Sequence, residues 1–321
     1  MSFMEYPKIS IVTPSYNQAQ FLEKTILSVL DQNYPNMEYI IIDGGSTDGS
    51  VDIIKKYEDR IAYWVSEPDK GTYDANNKGL EKVTGDYWCI VNSDDVLLPN
   101  SLNIISDFLK LNPEEKWICG GVNYIDENDV IISSRVPAPP KPIAGYTFLK
   151  GCWISHPTVF LHKCIIDKVG RFGKYHSLDT EYWLRLERAG FFPTIFPHII
   201  AGLRMHQNCK SYDSLKLDTE YRKVIDDFTK NIGIDKHSDV LKLKRSSHLY
   251  SIQLHLGYSL THREKLSVVC LLFQALWLKP MAIFTTWYLG AIKRLLFGLK
   301  ENDPLYKYYK YDGSQANWNA L

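Results

Sequence analysis

The sequence predicts an α/β fold on a mainly parallel sheet, followed by a helical region. Three observations carry that expectation. Short apolar runs alternate with segments of helical period as far as Asp95. Each run stops abruptly at a polar loop. From about residue 215 onward the pattern is wholly helical, with basic and apolar residues mixed. A chain of 321 residues has room for one large domain and an appendage, or for two modest domains. We expect these at 1–213 and 214–321, with the first divided into halves 1–112 and 113–213 by a change of pattern after Asn112-Pro113.

Ile9-Ser10-Ile11-Val12 reads as a buried strand, halted by Thr13-Pro14-Ser15-Tyr16-Asn17. Asn17 and Gln20 have capping-box spacing, and Leu22, Ile26, Val29 and Leu30 then recur at helical period. Tyr39-Ile40-Ile41-Ile42 is the next strand and ends at Asp43-Gly44-Gly45-Ser46. A helix follows with Val51, Ile54 and Tyr57 on one face. Ile61-Ala62-Tyr63-Trp64-Val65 is a third strand, leading through the polar loop 67–74 to a helix over 75–83. Tyr87-Trp88-Cys89-Ile90 is the fourth strand and runs into Val91-Asn92-Ser93-Asp94-Asp95. Strands joined by helical crossovers lie parallel, and ligands gather at their carboxyl ends. Thr13-Pro14-Ser15, Asp43, the loop 67–74 and Asp94-Asp95 all fall at such ends. Further on, the runs 117–124 and 130–136 flank Asp126-Glu127-Asn128-Asp129 as a hairpin. Residues 137–142 form a proline-rich rim, 158–161 a strand and 180–189 a helix ended by Gly190. The stretch 193–204 holds two short strand-like runs.

Composition narrows the function classes. Apolar residues make up 45% and charged residues 23%, as in an ordinary globular protein. Lys+Arg and Asp+Glu are both 37, and a net charge of zero argues against a general nucleic-acid binder. The six cysteines are scattered without a C-x-x-C pair, so they are expected to be reduced core thiols of a cytoplasmic protein. No apolar signal segment precedes the first strand, and secretion by the usual route is not expected.

Asp94-Asp95 is the feature with the most chemistry. Two adjacent carboxylates at the end of a buried strand require a cation or a shifted pKa. A hard divalent ion binds oxygen ligands and leaves positions open for diphosphate oxygens. The plain alternative is a solvated turn in which Asp95 caps the helix after Pro99.

Ile11-Val12-Thr13-Pro14-Ser15-Tyr16-Asn17, Ile42-Asp43-Gly44-Gly45-Ser46-Thr47-Asp48-Gly49 and Asn92-Ser93-Asp94-Asp95, in that order, resemble the family 2 glycosyltransferases. These are inverting enzymes with the GT-A fold, a Rossmann-like nucleotide-diphospho-sugar transferase domain. The resemblance covers roughly residues 7–211, and the segment 67–79 is similar to a branch that builds bacterial surface polysaccharides. Two positions depart from the commonest pattern, Gly44 and Asn92, each where the family often has aspartate. The two terminal carboxylates are intact.

The resemblance implies transfer from a nucleotide-diphosphate sugar, a UDP-sugar by preference, to a saccharide or lipid-linked saccharide in polysaccharide, O-antigen or capsule synthesis. It implies Mn2+ or Mg2+ held by Asp95, with Asp94 on metal or ribose. Asp43 falls on the position that reads a uracil-like base, with Thr13, Pro14 and Tyr16 as the wall behind it. Asp69, Lys70 and Gly71 would border the nucleotide. Asp179 falls on the catalytic-base position, where a carboxylate takes the acceptor's proton, and Glu181 is the reserve. His156 is expected near acceptor or diphosphate, and His206 at metal or phosphate. Each position also has an ordinary role: Asp43 could cap its turn, Asp179 its helix, and either histidine could be structural. A sugar-phosphate nucleotidyltransferase is disfavoured because the first loop lacks glycine and lysine. An oxidoreductase is disfavoured because no G-x-G-x-x-G follows the first strand. A non-catalytic binding subunit remains the other alternative, set against by the presence of Asp94, Asp95 and Asp179 together.

In the tail, 266–278 and 280–292 are uncharged runs separated by Lys279, each shorter than the ~18–20 residues of a spanning helix. Six basic residues against one acidic lie between Arg263 and Lys300. Two expectations stand: helices on the face of an anionic membrane, or a hairpin packed on the catalytic domain or on a second subunit in a homo-oligomer.

Overall fold

A computed structural model describes residues 6–175, 178–209, 214–262 and 264–297. The chain divides into two compact units, Met1–Met205 and His206–Leu321.

The first unit is built on a nine-stranded mixed sheet. Its parallel part consists of β1 (Ile9–Ser15), β2 (Met37–Asp43), β3 (Tyr63–Ser66) and β4 (Tyr87–Ile90), in the spatial order β3-β2-β1-β4. The crossovers are α1 (Ala19–Leu30), α2 (Ser50–Lys56) and α3 (Thr72–Lys82). All seven β1 residues are buried, because helices cover both sheet faces. Ile9 and Ile11 join Leu22, Ile26 and Val29 of α1, Tyr39 and Ile41 of β2 and Ile54 of α2 in one core. Each such apolar side chain contributes roughly 1.5–3 kcal/mol by leaving water. On the opposite face α3 lies so close that a Cβ at Gly79 would stand 2.3 Å from Val12 Cγ1, so only glycine permits the approach.

Beyond β4 come β5 (Val96–Leu97), α4 (Ser101–Leu111), β6 (Trp117–Ile125), β7 (Ile131–Arg135), β8 (Val159–His162), α5 (Cys164–Val169), α6 (Leu178–Arg188) and β9 (Thr194–Arg204). The sheet continues from β4 in the order β8-β6-β9-β5, with β7 hairpinned onto β6. β8 is antiparallel to β4 and β6, and β9 is parallel to β6. The ends of β1–β4, β6 and β9 and the start of β8 therefore share one edge.

Several local expectations are corrected. The stretch 193–204 is one strand, not two: Pro197 lacks an N–H, and the β6–β9 register jumps there from Cys119↔Ile195 to Gly121↔Ile199 before the ladder resumes. Asn17 does not cap α1. It takes φ +50°, and its Oδ1 accepts from Thr47 N, while Asp48 Oδ2 accepts from Ala19 N, so the helix is capped from the next loop. Asp95 does not cap α4, which begins after Asn100. The third strand starts at Tyr63, and the helix expected over 75–83 starts at Thr72. Of the six cysteines, only Cys89 and Cys119 are buried; Cys152 and Cys270 are exposed, and none is in a disulfide.

The second unit contains α7 (Ser214–Asn231), α8 (Ser238–Thr261), α9 (Lys265–Leu278) and α10 (Thr286–Phe297). Ile252, Leu256 and Leu260 of α8 pack with Val268, Leu272 and Ala275 of α9 and Tyr288 and Ala291 of α10. Among the described residues, no helix is long and apolar enough to cross a membrane. Residues 210–213, at the expected boundary, lie outside the described residues.

Candidate active site

The shared edge gathers three groups of the expected site residues. The first lies at the ends of β1–β3, where Ser15, Asp43 and Ser66 stand side by side in register. Asp43 is fully buried. Its Oδ2 accepts from Gly45 N (3.1 Å), Ser46 N (2.8 Å) and the Ser66 hydroxyl (2.7 Å), and its Oδ1 accepts from the Ser46 hydroxyl at 2.5 Å. As it stands, Asp43 holds its own turn, and its Oδ1, which accepts a single one of these bonds, keeps acceptor capacity. Thr13 is likewise turned to the core, its hydroxyl 3.1 Å from that of buried Tyr39, and Pro14 is buried beside it. Tyr16 is 61% exposed. A Cβ at Gly44 would meet Asp69 Oδ2 at 2.6 Å and Tyr16 Cδ2 at 3.3 Å, so Tyr16 and Asp69 converge on Gly44. A side chain at this departure from the family pattern would have to displace the Asp69 carboxylate. Asp69 Oδ1 in turn accepts from Gly71 N at 2.7 Å, and Gly71 takes φ +105° at the start of α3.

The second group is the acid pair. Asp95 is 2% exposed; its Oδ1 accepts from Arg204 N at 2.9 Å and its Oδ2 from Asn92 Nδ2 at 3.1 Å. Burial, followed by the charge of Asp94, pushes the Asp95 carboxyl well above the usual carboxylate range. Asp94 is half-buried. Arg204, missed in the sequence, clamps the loop. Its Nε donates to Asp94 O and its Nη1 to Asp126 O, both at 2.8 Å, and its Nη2 lies 2.6 Å from Asp129 Oδ1. The guanidinium sits 4.9 Å from the centre of the Phe21 ring. Thr25 adds a hydroxyl that donates to Asp95 O at 2.7 Å, with Ser93 O at 3.0 Å. A cation ending the apolar run 199–203 was the available signal for Arg204.

Hard oxygen ligands whose joint ionisation is resisted by burial and mutual repulsion suit a divalent cation. Among the described residues no three His, Cys, Asp or Glu side chains form a ready-made metal set; His206 is buried at the start of the second unit.

The third group joins two residues that the sequence treated separately. His156 Nδ1 lies 3.1 Å from Asp179 Oδ1. His156 is 9% exposed, with the rings of Phe172 and Trp183 each 5.8 Å from its own, and its buried Nε2 has no hydrogen-bond partner among the described residues. An Nδ1–H donated to the carboxylate is the tautomer this geometry favours. The His156–Pro157 turn abuts β4, since Cys89 Sγ lies 3.6 Å from Pro157 O. Helix α6, which carries Asp179, is fixed by Trp183, whose ring lies 5.3 Å from Trp117, and by Glu187, whose carboxylate accepts from Thr147 N and Oγ1. Glu181, the reserve base, is taken up by a bidentate pair with Arg185 at 2.6 and 3.0 Å.

A parallel sheet edge carrying an acid pair, an open glycine-bearing loop and a histidine-held carboxylate suits an α/β enzyme acting on a phosphate-bearing ligand. Comparison with known proteins agrees. Residues 10–166 match the model of glycosyl transferase family 2. The chain is 45% identical over 213 residues to TuaG of Bacillus subtilis, a glycosyltransferase named for teichuronic acid biosynthesis, covering 65% of this chain and 84% of that one. It is 29% identical over 246 residues to WfgD of Escherichia coli, a UDP-Glc:alpha-D-GlcNAc-diphosphoundecaprenol beta-1,3-glucosyltransferase, covering 72% and 95%. The chain belongs to glycosyl transferase family 2. Its fold is shared with S. aureus TarS in complex with UDP-GlcNAc (TM-score 0.56, 14% identity, 84% of this chain and 81% of that one). It is also shared with the mannosyltransferase PcManGT of Pyrobaculum calidifontis in complex with GDP-Man and Mn2+ (TM-score 0.52, 14% identity, 92% and 89%).

Proposed function

We propose that this glycosyltransferase moves a sugar from a UDP-sugar to a saccharide carried on a lipid diphosphate, with inversion, at the inner face of the cell membrane. The observation that carries the reading is the Asp179–His156 pair, placed at the same sheet edge as Asp94-Asp95. One carboxylate station serves the acceptor and the other the leaving group. The donor and acceptor classes are supported by the name of WfgD, and the surface-polymer setting by that of TuaG.

Asp94 and Asp95 would hold Mn2+ or Mg2+, with diphosphate oxygens and water completing the shell; the ion would act as a Lewis acid on the diphosphate. Tyr16, Asp69 and Gly71 border the nucleotide, and Asp43 shapes the turn beneath it. Asp179 takes the proton of the acceptor hydroxyl while that oxygen bonds to the anomeric carbon and UDP departs with the bonding electron pair. His156 holds Oδ1 of Asp179 and so sets the direction of the other oxygen. Residues 113–213 would bind the acceptor.

Calorimetric titration with UDP, GDP, CDP and dTDP, each with Mn2+ and with chelator, tests the proposal. UDP should bind with Mn2+, and binding should vanish with chelator and in Asp94→Ala. Absence of binding by every nucleotide under both conditions would contradict it.

A further inference from the structure

Helix α9 is apolar on two sides. Val268, Leu272 and Ala275 are buried against α8 and α10. On the other side Leu266 (79% exposed), Cys270, Phe273 (69%) and Trp277 (85%) are open, at spacings of four, three and four residues. At 3.6 residues per turn these four fall within an arc of about 60°. Met281, just past the helix end, is exposed as well. Lys265 opens the helix and Lys279 closes it, and both are exposed. Helix α10 repeats the pattern, with exposed Leu289, Lys293 and Leu296 at spacings of four and three.

We propose that the open face of α9 docks on an anionic lipid surface, with the helix lying in the plane of the headgroups. Charge selects this occupant over a protein. Between Arg263 and Lys300 there are six basic residues and one acidic. The single acid, Glu264, accepts from the Ser259 hydroxyl at 2.9 Å. Protein–protein interfaces are depleted in lysine at their cores, whereas lysines at the ends of an apolar stripe reach phosphate headgroups by snorkelling. Trp277 has the ring type that settles at the headgroup level. Fourteen residues span roughly 21 Å along the axis, too short to cross a bilayer and long enough to lie in one leaflet's surface. The surface stands on exposure and charge, and it holds whether or not the acceptor is lipid-linked.

Co-sedimentation of the full chain with large vesicles tests the inference. Vesicles of phosphatidylcholine with about one-third phosphatidylglycerol are compared with phosphatidylcholine alone, at low and high salt. The wild type should bind the anionic vesicles at least tenfold more tightly, and high salt should weaken that binding. Phe273→Ser/Trp277→Ser should lose at least tenfold with its melting temperature and UDP binding unchanged, since both side chains are already in water. Lys265→Glu/Lys279→Glu should lose the preference for anionic lipid. No vesicle binding by the wild type, or undiminished binding by both double variants, would overturn the inference. So would a concentration-dependent dimer that the Phe273/Trp277 variant abolishes, because the face would then be a subunit interface.

Discussion

Replacing Arg204 by Met removes a fully buried guanidinium while keeping most of the side-chain volume. The structure sets the size of the effect. Two charge-assisted bonds to the carbonyls of Asp94 and Asp126 are lost, at about 1.5 kcal/mol each, and both acceptors are left without that donor. Contact with the Phe21 ring adds about 1 kcal/mol. The pair with Asp129 adds about 0.5 kcal/mol, because that carboxylate is 43% exposed and also meets Lys24. The expected loss is therefore about 4.5 kcal/mol, or roughly 10–15 °C in melting temperature for a unit of this size. Arg204→Lys keeps the charge but not the fork, and should recover less than half. Urea denaturation of the three proteins measures this. UDP titration of the variants should show at least a tenfold loss of affinity, because the Asp94 carbonyl is no longer held. A loss below about 1 kcal/mol in the Met variant, or a lysine variant equal to wild type, would refute the clamp.

Two other predictions rest on single contacts. Asn92→Asp turns a donor to Asp95 into a third carboxylate, so the variant should melt below wild type in chelator and gain more from added Mn2+; equal shifts in the two proteins would count against a cation site there. Burial opposes ionisation of Glu38, but hydrogen bonds from Lys8, Ser10 and Thr84 outweigh it and hold the carboxyl down at about 2. A depressed carboxylate stabilises fully above its unfolded value near 4.5 and loses that contribution as pH falls toward 2. Glu38→Gln should therefore be less stable than wild type at pH 7, and the gap should close between about pH 4.5 and 2; a gap independent of pH would contradict the assignment.

The parallel half of the sheet was legible because its signals are local. Apolar runs such as Tyr39-Ile40-Ile41-Ile42 end at polar turns, and α1 buries the residues that recur at helical period. The acid pair was legible for the same reason: Asp94 and Asp95 are neighbours in sequence. What escaped depends on contacts between distant residues. Arg204 reaches the Asp94 loop across 110 positions, and Asp48 caps α1 from another loop. His156 and Asp179 were each singled out, but nothing in their spacing brings them to 3.1 Å; the turn before β8 and the start of α6 do. The inward direction of Thr13 was legible as well. Extending β1 by period two places it on the face of Ile9 and Ile11, toward the core. The single strand over 194–204 was not legible, because the bulge that absorbs Pro197 depends on pairing with β6.

Asp179→Asn, assayed for UDP release from a UDP-sugar in the presence of a lipid-diphosphate saccharide, tests the central claim most directly. The substitution keeps the shape at the His156 contact and removes the base. UDP affinity should stay within about twofold of wild type while turnover falls about 10²- to 10⁴-fold. Turnover within tenfold of wild type would contradict the assignment of Asp179 as the group that takes the acceptor's proton.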